Sequence, residues 1–249
     1  MADAFDRGVT VIMPAFDAVA TVEGAIDSVR AQTYRDWELV VVDDGSRDGT
    51  HDAVRRAVGD DPRMTVLRHG TNRGAAAARN TALAAARGRR IAYLDADDLW
   101  LPEKMERQVA FMERTGAALS YCGFWRDAPG RRRRAVAVPP TVTREALLGG
   151  NVIGCLTACY DRAHLGDRPM PPLPLRQDYA LWLDILRDVE RAHGLTEPLA
   201  VHRVRRGSLS SGRIRATLAT WRMYRRHVGL SPARSAACLA SHLIRRVLR

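Results

Sequence analysis

An open, mostly parallel α/β sheet flanked by helices is the fold this sequence predicts, and three observations predict it. Short apolar runs recur through the first hundred residues, and polar clusters follow them. A stretch of helical character separates each run from the next, which is the βαβα order that builds a parallel sheet. A length of 249 residues with 46% hydrophobic content suits one compact domain of roughly 200 residues, or that domain with an appendage.

The first expected strand is residues 9–13, ended by Pro14, and the second is 38–42, ended by Asp43-Asp44-Gly45-Ser46. Residues 64–67 and 91–94 complete the set of buried parallel strands. Helices are expected over 21–30, 49–58 and 74–87, the last an alanine-rich run of high helix propensity. A further helix runs from Pro102 to about Arg114, with proline at its start and Glu103 in its first turn. Beyond it, 117–125 and 155–160 read as strands and 131–140 as a loop. The proline-rich stretch 169–174 leads into an amphipathic helix over 177–189, and 199–204 reads as the last strand. In an open sheet of this kind the ligand crevice lies beyond the carboxyl ends of the strands, where the polar clusters sit.

Composition excludes several classes. The net charge is +11, yet no acidic residue follows Glu197 and twelve arginines lie between Arg203 and Arg249, so the preceding body is close to neutral. With aromatics at 6% and no recognisable reading module, no nucleic-acid partner is expected. Cys122, Cys155, Cys159 and Cys238 lack CxxC spacing and read as small buried hydrophobes, not as a disulfide framework or a zinc site. Neither an apolar run of about 18 residues nor a basic-then-apolar leader is readable, so a cytoplasmic protein is expected.

Asp95, Asp97 and Asp98 crowd the end of the fourth strand. Repulsion and desolvation make such a cluster costly unless a cation or a donor-rich ligand meets it. The chemistry suits Mg or Mn held partly by a phosphate-bearing substrate, against the plainer alternative of a turn and a helix cap. Asp43 and Asp44 end the second strand and would face the same crevice, although Gly45, Ser46 and Asp48 also suit a simple turn and cap. Asn72-Arg73-Gly74 supplies a helix start, and Arg79 on that helix would meet a phosphate or base, or else solvent.

The strings TVIMPAFDAVATVEGAIDSVRAQTYRDWELVVVDDGSRDGT, NRGAAAARNTAL and IAYLDADDLWLPEKM closely resemble glycosyltransferase family 2, over about residues 8–108. The resemblance implies a GT-A fold, a nucleotide-diphosphate sugar donor and inverting stereochemistry. It implies that Pro14, Ala15 and Phe16 line the nucleotide pocket, that Asp44 meets the base, and that Arg79 lies near the nucleotide. Asp95 and Asp97 match the DxD motif, with Asp95 towards the ribose and Asp97 on a divalent metal, Mn or Mg. The segment from Arg176 to Leu183 resembles the family's catalytic helix, with Asp178 as the base and Gln177 in place of the usual Glu. Arg203, Ser208 and Ser210 match a loop that closes over the donor phosphates.

The reading that follows is an inverting transferase moving a sugar to an acceptor hydroxyl in bacterial surface glycan assembly, with a glycan or polyprenyl-linked acceptor. A nucleotidyltransferase and a non-catalytic nucleotide-sugar-binding scaffold are the alternatives. Residues 1–210 form the expected GT-A domain, with a nucleotide-binding half over 1–100 and an acceptor half over 101–210, and 211–249 form a basic helical tail. In that tail Ile214, Leu218 and Trp221, and then Ala236, Leu239, Ala240, Leu243 and Val247, recur at helical spacing among arginines. Such stripes suit either an anionic membrane surface, at the inner face of the plasma membrane, or packing on the domain.

Overall fold

The computed structural model describes residues 8–204 and 213–247. At its centre β1 (Val9–Ala15) runs parallel to β2 (Trp37–Asp43) on one side and β4 (Arg90–Tyr93) on the other, and β3 (Met64–Arg68) extends the sheet beyond β2. On the far side β9 (Cys159–Asp161) pairs antiparallel with both β4 and β6 (Leu119–Asp127). The long β10 (Arg191–Arg203) lies parallel to β6, and the two-residue β5 (Leu99–Trp100) closes that edge. The order is β3-β2-β1-β4-β9-β6-β10-β5, with β7 (Arg134–Val136) added to β6 and β8 (Thr141–Thr143) to β10.

Alternation along the strands builds two cores, one on each face. Val11, Met13, Leu39 and Val41 face α1 (Val22–Arg30), α2 (Thr50–Val58) and the Met105, Val109 and Met112 side of α4 (Lys104–Thr115). Ile12, Val40 and Val42 face the opposite way, into a core shared with α3 (Ala75–Ala84), α5 (Arg144–Leu148) and α7 (Gln177–Ile185). A strand buried on both faces has no polar side to show, which is why these runs are continuously apolar.

The four expected strands and the helices between them form within a few residues of their expected limits. Within the stretch 131–140, expected as a loop, residues 134–136 form β7, and α7 stops at Ile185, short of the expected residue 189. Three other departures have local causes. Residues 155–160 divide into a 3₁₀ turn (Cys155–Thr157) and the short β9, although the whole segment reads as one strand by hydropathy. The last strand begins at Arg191, because β10 carries irregularities between Leu195 and Ala200, where Pro198 interrupts the ladder and masks its first half. A short helix, α6 (Arg162–Leu165), capped by the Asp161 side chain, follows β9.

The C-terminal segment comprises α8 (Arg213–Arg222), a π-helical stretch (Met223–Val228) and α9 (Pro232–Val247). Met223, Tyr224, Val228 and Leu230 are buried in the α7 core. The Tyr224 hydroxyl donates to the Leu148 carbonyl at 2.5 Å and lies 2.9 Å from the Tyr179 hydroxyl, while His242 of α9 stacks on the Tyr179 ring. Much of the apolar stripes lies outside these contacts: Ile214 remains 79% exposed and Leu218 50%, and Ala236, Ala240 and Leu243 are also exposed, whereas Leu239 of the α9 stripe packs against the core. Tyr224→Phe is expected to cost about 1–3 kcal/mol, because a buried hydroxyl network loses a member. Urea unfolding measures it, and a change indistinguishable from zero contradicts the role.

Candidate active site

The carboxyl ends of β1, β2 and β4 open on one side of the sheet, and the first two are clasped together by backbone geometry. Asp44 N–H donates to the Ala15 carbonyl at 2.8 Å. Asp17, with φ of 46°, donates from its N–H to Ser46 Oγ at 3.0 Å and accepts from Arg47 N–H at 3.0 Å. Pro14 is half-buried and Ala15 buried, whereas Phe16, directly after the end of β1, stands 45% exposed.

Asp44 lies almost wholly buried. Its carboxylate accepts from Arg73 N–H at 2.9 Å and Gly74 N–H at 2.7 Å, and lies 2.6 Å from His69 Nδ1. It therefore holds the 69–74 turn against the sheet, with about one of its four acceptor directions left for a ligand. Gly45, at φ of 74°, makes this approach possible, since a Cβ there would come within 2.7 Å of the Thr71 carbonyl carbon. Gly45→Ala is expected to cost about 2–4 kcal/mol through positive φ and backbone collision together. Thermal denaturation reads the loss, and a melting temperature equal to the native one would remove this turn from the account.

The β4 end sends its three carboxylates in separate directions. Asp95 forms an ion pair at 2.5 Å with Arg79, a buried guanidinium of α3. Asp98 points inward and accepts from Arg203 N–H at 2.9 Å, with His202 Nδ1 at 3.1 Å. Burial raises the Asp98 carboxyl and His202 draws it back, while the same contact raises His202. Asp97 is half-buried, and its backbone carbonyl accepts from Arg203 Nε at 2.7 Å. Arg203 Nη2 is buried without a hydrogen-bond partner among the described residues, beside this strand end. No group of three His, Cys, Asp or Glu side chains able to hold a metal occurs among the described residues.

Asp178 reaches the same place from the other half of the chain. Arg176, with φ of 68°, turns the backbone into α7, and its Nε donates to Thr220 Oγ1 of α8 at 3.1 Å. Asp178 stands in the first turn of that helix. Burial pushes its carboxyl above the usual carboxylate range, the Tyr179 amide, Arg79 and Arg176 oppose the rise, and Asp95 adds to it. Arg79 thus lies within electrostatic reach of both Asp95 and Asp178, with the Cys155 thiol, itself raised by burial, beside all three.

The fold therefore brings Arg79, Asp95, Asp97, Asp178 and Arg203 to one end of the sheet, with Phe16 and Asp44 at the β1–β2 side. Ser208 and Ser210 lie outside the described residues. Sequence reasoning missed His69 and His202, the partners of Asp44 and Asp98. Each sits at or near a strand's carboxyl end, beside β3 and within β10, so position relative to the sheet is the signal that marks them.

The family model described as Glycosyl transferase family 2 matches residues 10–159, more than half of the chain. A Bacillus subtilis protein named as a teichuronic acid biosynthesis glycosyltransferase is 38% identical over 219 residues, spanning 87% of each chain. An Escherichia coli UDP-Glc:α-D-GlcNAc-diphosphoundecaprenol β-1,3-glucosyltransferase is 39% identical over 183 residues, covering 74% of this chain and 71% of its own. Among solved structures, a mannosyltransferase from Pyrobaculum calidifontis in complex with GDP-Man and Mn²⁺ superposes with a TM-score of 0.70 at 25% identity, covering 94% of this chain and 68% of that one.

Proposed function

The chain belongs to glycosyl transferase family 2 and is a GT-A glycosyltransferase, and we propose that it moves a sugar from a nucleotide-diphosphate donor to the hydroxyl of a polyprenyl-diphosphate-linked or other glycan acceptor. One observation carries the reading: Asp178, a carboxyl raised by burial, shares its guanidinium neighbour with the strand-end carboxylate Asp95. That is the separation of roles the reaction needs, a proton acceptor on one side and a charged, donor-facing cluster on the other.

In this reading Phe16 and the Asp44 turn line the nucleotide, Arg79 and Asp95 lie towards its ribose and phosphates, and Arg203, held by the Asp97 carbonyl, stands near the diphosphate. Ser208 and Ser210 belong to the same proposal as phosphate contacts. Asp178 takes the proton of the acceptor hydroxyl while that oxygen bonds to the anomeric carbon, and the carbon–oxygen bond to the diphosphate breaks with its electron pair leaving on the diphosphate. A single displacement inverts the anomeric centre, and no second carboxylate is needed as a nucleophile.

Asp97 suits a divalent ion by its donor chemistry. Asp98 is turned inward and Asp95 is paired with Arg79, so Asp97 is the carboxylate of this strand end that would meet the ion, and the diphosphate would complete the shell, the mode in which Mg and Mn are commonly held. Such an ion supplies charge neutralisation at the leaving diphosphate. The glycosyltransferases named above support a role in cell-surface glycan assembly. Among the described residues no helix is long and apolar enough to cross a membrane. The exposed part of the α9 stripe, Ala236, Ala240 and Leu243, and the arginine-rich C-terminal sequence support peripheral attachment to anionic lipid at the inner face of the plasma membrane.

A panel of nucleotide-diphosphate sugars with Mn, scored for the released nucleotide, tests the transfer. Release of a nucleoside diphosphate on adding acceptor is the expected result. Release of inorganic diphosphate with nucleotide transfer would make the chain a nucleotidyltransferase, and donor binding without turnover would make it a scaffold.

A further inference from the structure

A cavity of about 860 Å³ lies against α8, between its exposed side and the segment that leads into α7. Its volume falls in the range of sites that hold organic ligands. Leu173, Leu175 and Leu218 form part of an apolar floor, and Arg215, Arg222 and Arg226 stand around it, all exposed. No acidic residue lines the cavity, and these three arginines make no ion pair among the described residues. Arg222 and Arg226, about one turn apart, mark one end of the slot and Arg215 stands about 10 Å further along α8, so the cavity suits a molecule that is apolar along its length and carries its anionic group at the Arg222 end.

Its position relates it to the chemistry. The lining residue Leu175 is followed directly by Arg176, whose Nε bond to Thr220 ties α8 to the start of the helix carrying Asp178. The floor also includes Met223, the first residue of the π-helical stretch, and Arg226 lies on the same stretch. A π-helical stretch inserted after an α-helix shifts the register of the side chains that follow, and such stretches are frequent at functional sites.

We propose that this cleft binds the lipid diphosphate of the acceptor, with the prenyl chain on the leucines and the diphosphate between Arg222 and Arg226, so that the sugar beyond it reaches Asp178. The inference rests on the transfer reading above and deepens it by assigning the lipid a place. Charge complementarity selects this occupant. A neutral lipid leaves the Arg222 and Arg226 guanidiniums without counter-charge, and a soluble sugar phosphate leaves the apolar floor exposed.

Binding of geranylgeranyl diphosphate, followed by the fluorescence of Trp221 on α8 and by calorimetry, tests it without any turnover. The full chain is expected to bind this probe at least tenfold more tightly than inorganic pyrophosphate or geranylgeraniol, and shorter prenyl diphosphates more weakly as less apolar surface is buried. Leu218→Glu and, separately, Ile214→Glu should each weaken the probe roughly tenfold or more, as should Arg222→Glu combined with Arg226→Glu. Leu218 and Ile214 are exposed, so their variants should melt within a few degrees of the native chain, and two independent sites guard against one misfolded variant. Equal affinity of the native chain and both apolar variants overturns the proposal, as does pyrophosphate binding as tightly as the prenyl diphosphate. Binding of phosphatidylglycerol vesicles that exceeds prenyl diphosphate binding, and is lost in the same variants, overturns it in favour of a membrane surface. The transfer reading fails separately: a chain that binds the prenyl probe in this cleft, yet releases no nucleoside diphosphate with any donor, keeps the cleft and loses the transfer.

Discussion

Asp178→Asn is expected to lower sugar transfer by roughly 10²–10⁴, the range for loss of a general base, while nucleotide binding persists. The amide is close to isosteric and keeps the α7 start intact, but it takes no proton. The native pH profile should carry the signature of the same group. Burial raises the Asp178 carboxyl, and only its ionised form accepts a proton, so kcat/KM should fall as the pH drops through a value above the ordinary carboxylate range near 4. Stability has the opposite sign. A carboxyl whose folded pKa is raised holds its proton more tightly in the folded state, so its ionisation costs stability as the pH rises through that value, and the cost persists at neutral pH. The Asn variant escapes that cost and should be at least as stable as the native chain at pH 7. Loss of transfer accompanied by an equal loss of stability would mean that Asp178 serves the fold.

Asp97→Ala is expected to abolish the dependence of nucleotide-diphosphate binding on Mn, weakening affinity in the presence of the metal by roughly 10²-fold or more, since a metal ion supplies several kcal/mol of charge stabilisation. The contact between Arg203 and Asp97 runs through the backbone carbonyl and survives the substitution. A melting temperature within a few degrees of the native one would assign the loss to the carboxylate and not to a displaced loop. Calorimetry of the nucleoside diphosphate with Mn and with chelator decides it. Native affinity that is already indifferent to Mn, or a variant that retains the full Mn effect, would transfer the metal role away from Asp97.

The first hundred residues were readable because each buried strand breaks off into a polar cluster. Val9 to Met13 ends at proline, Val40 to Val42 at two aspartates, and Ile91 to Leu94 at the Asp95 turn, so hydropathy and chemistry change at the same residue. The second half was less readable. Strands of two or three residues such as β5, β7 and β8 carry no periodicity to detect, and β10 is interrupted by Glu197 and Pro198 in its middle. Asp178 was found through resemblance, since a carboxylate in a first helical turn is ordinary capping chemistry by itself. The partners of Asp44 and Asp98 were invisible for another reason. His69 and His202 lie 25 and 104 residues from the carboxylates they meet, and only the sheet brings them together. Hydropathy likewise marked the apolar stripes of α8 and α9, of which Leu239 packs on the core, but not the polar and aromatic groups that anchor this segment, Thr220 on Arg176 and Tyr224 and His242 on Tyr179.

The anomeric configuration of the transferred sugar, read from its proton coupling in NMR of the product, tests the central claim most directly. With Asp178 as the base of a single displacement, the new glycosidic bond has the configuration opposite to that of the donor. Retention of the donor configuration would require a second displacement or a covalent sugar intermediate, and would contradict the role assigned to Asp178.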